Sequence, residues 1–432
     1  MKKLFHISLL AAVLGFSACG EDRTHEYEEL IEHNTWMFSI MQDQYLWGDQ
    51  IKEQDSKTYF STSTKFFSTL VSSTGQSDSW SYCLVDSAPS DPHVRGHFNH
   101  LDTYGIDYVM ATDPTKATSR SMARITYVAK QSPAALCGLQ RNDFISIVDD
   151  TRLTSSNAAK YLESGSSHSI VYHHIDTIEG GSYVWTDTLR ATLPASTLVV
   201  EDAFPVYSIL DVAGGKIAYL LCTRLMPYPD ECQQEGTEFQ QQLDYCMQNL
   251  LQHQPTDLIL DLRYCNYGTI GMAQRLASYL LPTLYQGTPF AQTVWNSRHS
   301  ANNQTYSYES LSGTLDLSRV FIITSSYTQG AAEWLIHALR TTLGEANVVL
   351  VGQATKGQNV MTAHIASGYG HQLYPAVAYV ADGEGNYSYG SFSPSTENTV
   401  TETNTKYIPY MKALGDPGEI LFLAALNALF SM

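Results

Sequence analysis

Few of the residue types that do chemistry fall at spacings that would let them cooperate. His93, His97 and His100 recur at i, i+4 and i+7, which on a helix would gather three imidazoles on one side. Pro92 and Gly96 break any such helix, so the segment reads as a solvated loop. His173 and His174 are adjacent in a strand-like run and face opposite ways, which rules out a metal pair. Apart from Cys19 the cysteines are Cys83, Cys137, Cys222, Cys232, Cys246 and Cys265. None forms a Cys-x-x-Cys pair, which excludes zinc-knuckle and thioredoxin readings. They fit small buried residues, with a Cys232–Cys246 bridge left open. There is no His-Glu-x-x-His, no phosphate loop and no dinucleotide fingerprint, so neither a metal nor an organic cofactor is expected.

The rest of the chain sets the context. Its 432 residues are enough for two or three folded units, and 44% hydrophobic against 16% charged supplies buried cores. A formal net charge of −18 repels phosphate backbones, so nucleic acid is not an expected partner. The 28 tyrosines suit a peptide- or carbohydrate-facing surface, which keeps a glycan-associated surface protein among the alternatives. Lys2 and Lys3 open a targeting segment, an apolar run reaches Phe16, and Ser17-Ala18 precede Cys19. The run is too short to span a bilayer. Phe16-Ser17-Ala18-Cys19 resembles a bacterial lipobox, with Phe where Leu is usual; the alternative is a secretory signal cleaved elsewhere. Gly20-Glu21-Asp22 resembles the acidic export tag of Bacteroidetes surface lipoproteins. These resemblances imply a signal peptide over 1–18, lipidation at Cys19 and a tether over 19–30. They also imply an exported lipoprotein of the bacterial cell envelope, held to the outer membrane by its lipid.

Three parts follow, and together they make a multidomain α/β protein, α+β overall. Residues 31–100 read as a small helical domain: Met37, Met41 and Tyr45 recur every four residues, and Phe60, Phe66, Phe67 and Leu70 mark a second helical stretch. Residues 101–198 read as short strands and turns, with Arg124–Val128 and Asp143–Val148 as strands. Between them Ser132 caps a short helix that Pro133 opens. The ordered run Ser132-Pro133-Ala134-Ala135, Gly138-Leu139, Asn142-Asp143, Ile145, Val148 is similar to the middle of a PDZ domain. That resemblance implies a site for a peptide or a protein C-terminus, added as a strand, with its carboxylate cradled at Gly105, Ile106, Asp107 and Tyr108. Asp107 replaces the family's second glycine, and its charge opposes a carboxylate. Residues 199–432 alternate strand and helix, and Leu258–Leu262 and Val320–Thr324 are apolar enough to be covered on both faces.

Three segments of this last part resemble the C-terminal processing (tail-specific) serine peptidases. They are Thr256–Gly268, Val320–Arg340 and Val351–Val360, in that order, with Phe392–Ser395 and Leu414–Pro417 also in place. With the helical and PDZ-like parts, the resemblance covers nearly all of the chain after the tether and implies a crotonase-like core. In that family a serine at a helix N-terminus is the nucleophile and a buried lysine its base. The matching positions here hold Gly330 and Gln358. Glycine carries no nucleophile, and an amide takes no proton at useful pH. The turn whose amides would form the oxyanion hole reads Cys265-Asn266-Tyr267-Gly268, leaving Asn266 and Gly268 as the candidate positions. The resemblance therefore implies a non-cleaving homologue that binds extended peptides or protein termini. An active serine-type endopeptidase using the displaced pair Thr328 and Lys356, each two residues early, remains the alternative. Such a shift at a helix start turns a side chain by roughly 200°.

Overall fold

The computed structural model describes residues 24–85, 103–177, 183–199, 201–228 and 237–431. The signal segment, Cys19, His93, His97, His100 and Cys232 lie outside them. The chain divides into two compact units, one running to Asp86 and including Ala363–Pro375, the other holding the remainder. Sequence boundaries instead keep 363–375 in the core and set 101–198 apart from it.

In the first unit α1 (Thr24–Gln44) packs on α2 (Ser63–Ser73). Met37, Met41 and Tyr45 share one face and are fully buried, as are Phe66 and Leu70, whereas Phe60 stays exposed. Asn34 Nδ2 donates to the carbonyls of Tyr59 and Ser61, both at 2.9 Å, which ties α1 to the turn before α2. Tyr82–Val85 pairs antiparallel with His371–Tyr374, and that strand pairs with Ile365–Ala366. These backbone ladders are why the late segment joins this unit. His33 is buried beside Tyr369 and His371, with ring centroids 4.7 and 4.6 Å away. Its Nδ1 meets Ser63 Oγ at 2.9 Å, and its Nε2 finds no partner.

The second unit holds two main sheets. The first is antiparallel, in the order 106–112, 121–128, 144–148, 168–177, 183–193, with 151–152 paired to 144–148. Ser132 Oγ accepts from Ala135 N at 3.2 Å and so starts the helix Pro133–Leu136. His173 turns to Ser146 and Thr188, while His174 turns to Asp143.

The other main sheet has β1 (Val206–Val212), β2 (Gly215–Leu221), β3 (Asp257–Asp261), β4 (Val320–Thr324) and β5 (Val348–Gly352). Its spatial order is β5-β4-β3-β2-β1, parallel except for β1. Alternation splits its apolar residues. Leu258, Leu260, Ile322 and Leu350 join a core with α3 (Glu238–Gln252), α4 (Ile270–Leu280) and α5 (Ala331–Leu343). Ile259, Phe321, Ile323 and Val351 join a second core with α6 (Ile420–Phe430). A four-stranded antiparallel sheet from 289–295, 305–307, 360–362 and 376–382 completes the unit.

A buried ionic network fixes the first sheet to the second. Arg141, in the loop after Pro133–Leu136, reaches Glu402 at 2.7 Å and Glu419 at 2.9 Å, and donates to Tyr264 Oη at 2.8 Å. Arg263, with no exposed side-chain surface, pairs with Asp261 and Glu419 at 2.7 Å each and with Glu402 at 3.0 Å. Glu419 also caps α6 through the amides of Leu421 and Phe422. Burial alone would raise the Glu402 carboxyl, but Arg141 and Arg263 hold it down to about 2.

Two outcomes follow from these contacts. Arg141→Met leaves buried carboxylates short of a partner and is expected to cost about 3–5 kcal/mol in urea unfolding. In the first unit burial, aided by His371, lowers His33 from 6.5 to about 4. A group depressed in this way gives stability that is present above its unfolded value and is lost as pH falls through the folded one. Protection of the amides in α1 and 365–374, corrected for the intrinsic pH dependence of exchange, should therefore fall between pH 6.5 and 4, and His33→Gln should flatten that dependence.

Candidate functional site

The parallel strands β3, β4 and β5 end on one side of the sheet, and the loops leaving them carry the candidate residues. Ligand sites of open α/β sheets form at such carboxyl ends. After β4 the chain runs through Ser325–Gln329 and enters α5 at Gly330, whose φ of 60° and ψ of −118° suit glycine and strain any L side chain. The loop is held from β3: Thr328 Oγ1 donates to the Leu262 carbonyl at 2.9 Å, and Ser325 Oγ donates to the Arg263 carbonyl. Gln329 N donates to the Cys265 carbonyl at 3.0 Å.

Gln358 comes from the loop after β5 and stands opposite Gly330. A Cβ added at Gly330 would lie 3.2 Å from Gln358 Oε1, so the structure brings these two positions together. The amide's Nε2 donates to the Val360 carbonyl at 3.0 Å. Its main-chain carbonyl accepts from Trp334 Nε1 at 3.1 Å and Tyr389 Oη at 3.0 Å. Gly268 lies beside the same helix start: a Cβ there would fall 2.6 Å from Leu225 Cβ and 2.8 Å from Ala331 Cβ, and only glycine allows that approach. Asn266 is half-buried in the same turn.

Glu333 organises this junction. Fully buried on the first turn of α5, its carboxylate accepts from the amides of Gly330 at 3.2 Å, Gly357 at 2.5 Å and Gln358 at 2.7 Å. Burial raises its carboxyl above the ordinary range, against the pull of hydrogen bonds from Thr355 and these amides. Its position three residues after a helix start is the capping-box spacing and signalled this role. Trp334 and Tyr389 gave no comparable signal.

The displaced pair is not assembled. The Thr328 hydroxyl is buried and donates to Leu262, its main-chain carbonyl accepts from Lys356 N at 3.0 Å, and the Lys356 side chain is exposed. A hydroxyl whose one proton is already given to a carbonyl is not aimed at that amine.

The candidate peptide cradle lies in the other sheet of this unit. Gly105, with φ of 74°, packs on Ser132, and its amide donates to Thr103 Oγ1 at 3.2 Å. Ile106 and Asp107 are buried, and Asp107 is opposite Tyr127 in the ladder. Tyr108 Oη donates to Glu163 at 2.9 Å, linking the outermost strand to the end of helix Ala158–Leu162.

Residues 32–82 match the peptidase S41 N-terminal domain. A crystal structure assigned as an S41 protease from Bacteroides fragilis NCTC 9343 superposes with a TM-score of 0.79 at 24% identity. That match covers 92% of this chain and 97% of the other. The chain has the S41 peptidase fold. The photosystem II D1 C-terminal processing protease matches at 14% identity and a TM-score of 0.48, covering 90% of this chain and 99% of its own. No curated protein matches the sequence.

Within this S41 fold Glu333 is the testable residue. Glu333→Ala strands buried amides at Gly330, Gly357 and Gln358. It is expected to cost about 3 kcal/mol in urea unfolding and to speed exchange of the Gly357 and Gln358 amides.

Proposed function

We propose that this chain is a lipid-anchored, non-cleaving S41 peptidase homologue that holds extended peptide or protein segments at the bacterial cell envelope. The observation that carries the reading is the pairing of Gly330 with Gln358 across the start of α5, where the resembled peptidases place nucleophile and base. A frame with neither group forms no acyl intermediate, and loss of a serine nucleophile alone removes roughly a million-fold of rate. The left-handed backbone at Gly330, the Glu333 clamp and the tight Gly268 turn hold the two positions in place.

Support for peptide binding comes from strand 106–112, which ends its sheet and has a helix beside it. An added strand is the natural ligand of such an edge. With the Gly105 amide given to Thr103 and carboxylates at Asp107 and Glu163 nearby, an extended internal segment suits this edge better than a chain terminus. The lipid anchor rests on the basic start, the apolar run and the residues before Cys19. The arrangement of Thr328 and Lys356 does not favour the endopeptidase alternative.

Purified protein is expected to leave a fluorophosphonate probe unreacted and unfolded casein intact. Gly330→Ser/Gln358→Lys should gain labelling, because hydroxyl and amine then occupy facing positions. Labelling or turnover by the unaltered protein, abolished by Thr328→Val or Lys356→Met, would overturn the reading.

A further inference from the structure

A cleft of about 870 Å³ opens at the far end of α5, between the outer edge of β5 and α6. Arg340 on its wall is ten residues along α5 from Gly330, about 15 Å at the helical rise. The cleft is therefore separate from the candidate site described above, and it is also remote in sequence from strand 106–112.

Three features of this cleft point to the same kind of occupant. Gly352 turns both its N–H and its C=O outward, bonding Asn398 O at 2.9 Å and Val400 N at 2.8 Å. Backbone groups alternate along a strand, so Leu350, two residues earlier, turns its N–H and C=O outward too. None of the described residues pairs with them, and Leu350 lines the cleft. An unpaired pair of this kind on an edge strand is a template for another strand.

The second feature is α6. Its sequence is apolar on nearly every side; Ile420, Leu421, Phe422, Ala425, Leu426 and Leu429 are buried in the core, and Ala424 and Ala428 pack against its rim. Leu423, Ala424 and Ala428 line the cleft and are only half-buried. An all-round apolar helix is normally covered on all sides.

The third is Arg340. Its Nη1 meets Glu345 at 3.0 Å and its guanidinium lies over the Phe392 ring at 5.2 Å, yet its buried Nε has no acceptor among the described residues. A carboxylate on the occupant would complete it.

We infer that this cleft binds a second extended polypeptide segment, added as a strand on β5, with alternating apolar residues against α6 and a carboxylate toward Arg340. Residues of 393–400 and of α6 line the cleft together with the edge of β5.

The test uses a fluorescein-labelled Val-Ser-Val-Ser-Val-Asp peptide with a free carboxylate. Expected are saturable anisotropy and slowed exchange of the Leu350 amide. Arg340→Gln should weaken binding about tenfold. Asn427→Trp, at an exposed position on the cleft wall, should block it without touching the core, and Ala424→Arg is the second blocking variant. Absence of binding overturns the inference, as does binding that both blocking variants leave unchanged. Slowed exchange at 106–112 instead of 348–352 overturns it while supporting the proposed function. A slowed Leu350 amide without peptide, at the mass of a dimer, would make a second copy the occupant and overturn it too.

Discussion

Asp261-Leu262-Arg263 holds the second unit to one arrangement, because each residue bonds in two directions. The side chains of Asp261 and Arg263 anchor the buried network, and Tyr219 adds a hydrogen bond to Asp261 at 2.7 Å. The carbonyls of Leu262 and Arg263 take the hydroxyls of Thr328 and Ser325, which fixes the loop that delivers Gly330. Through Glu419 the same network caps α6, and through Arg141 it seats the antiparallel sheet. Burying ions costs several kcal/mol apiece, returned only when geometry and hydrogen bonding are nearly complete. An apolar cluster could match that stability. What the network adds is direction, since guanidinium forks accept few alternative arrangements.

Much of this was legible in the sequence. The runs Leu258–Leu262 and Val320–Thr324 are almost wholly apolar, Asp261 apart, because helices cover both faces of their sheet. Met37, Met41 and Tyr45 are legible because a helix repeats every 3.6 residues. The adjacency of Gly330 and Gln358 followed from ordered motifs rather than from chemistry in either residue. Less could be read where the cause lies far along the chain. The strand His371–Tyr374 looks like any short alternating run, and only its ladder with Tyr82–Val85 assigns it to the first unit. Arg141, Glu402 and Glu419 are each ordinary charged residues in the sequence, and their meeting is a product of the fold.

On the proposed reading, Gly330 and Gln358 make the site quieter in a physical sense as well as a chemical one. A serine at φ 60° would carry about 1–3 kcal/mol of backbone strain, which glycine avoids. A lysine facing it in this buried junction would have to be desolvated, whereas the Gln358 amide bonds the Val360 carbonyl. Catalytic sites trade stability for reactivity, and on the proposed reading that trade is no longer made here. The Glu333 clamp then serves to keep α5 and the loop after β5 in register.

The same logic separates the two ends of α5. At Gly330 backbone amides are taken by Glu333, the facing amide is bonded internally, and glycines bring the turns into contact. That end has little left to offer a ligand. Near Arg340 the edge of β5 presents peptide groups unpaired among the described residues, and α6 leaves Leu423, Ala424 and Ala428 half-buried. Unpaired backbone and uncovered apolar surface are each costly in water-excluding folds, and proteins normally bury, pair or charge them. Their coincidence in one recess, away from Gly330 and Gln358, is what gives the cleft its claim to a partner.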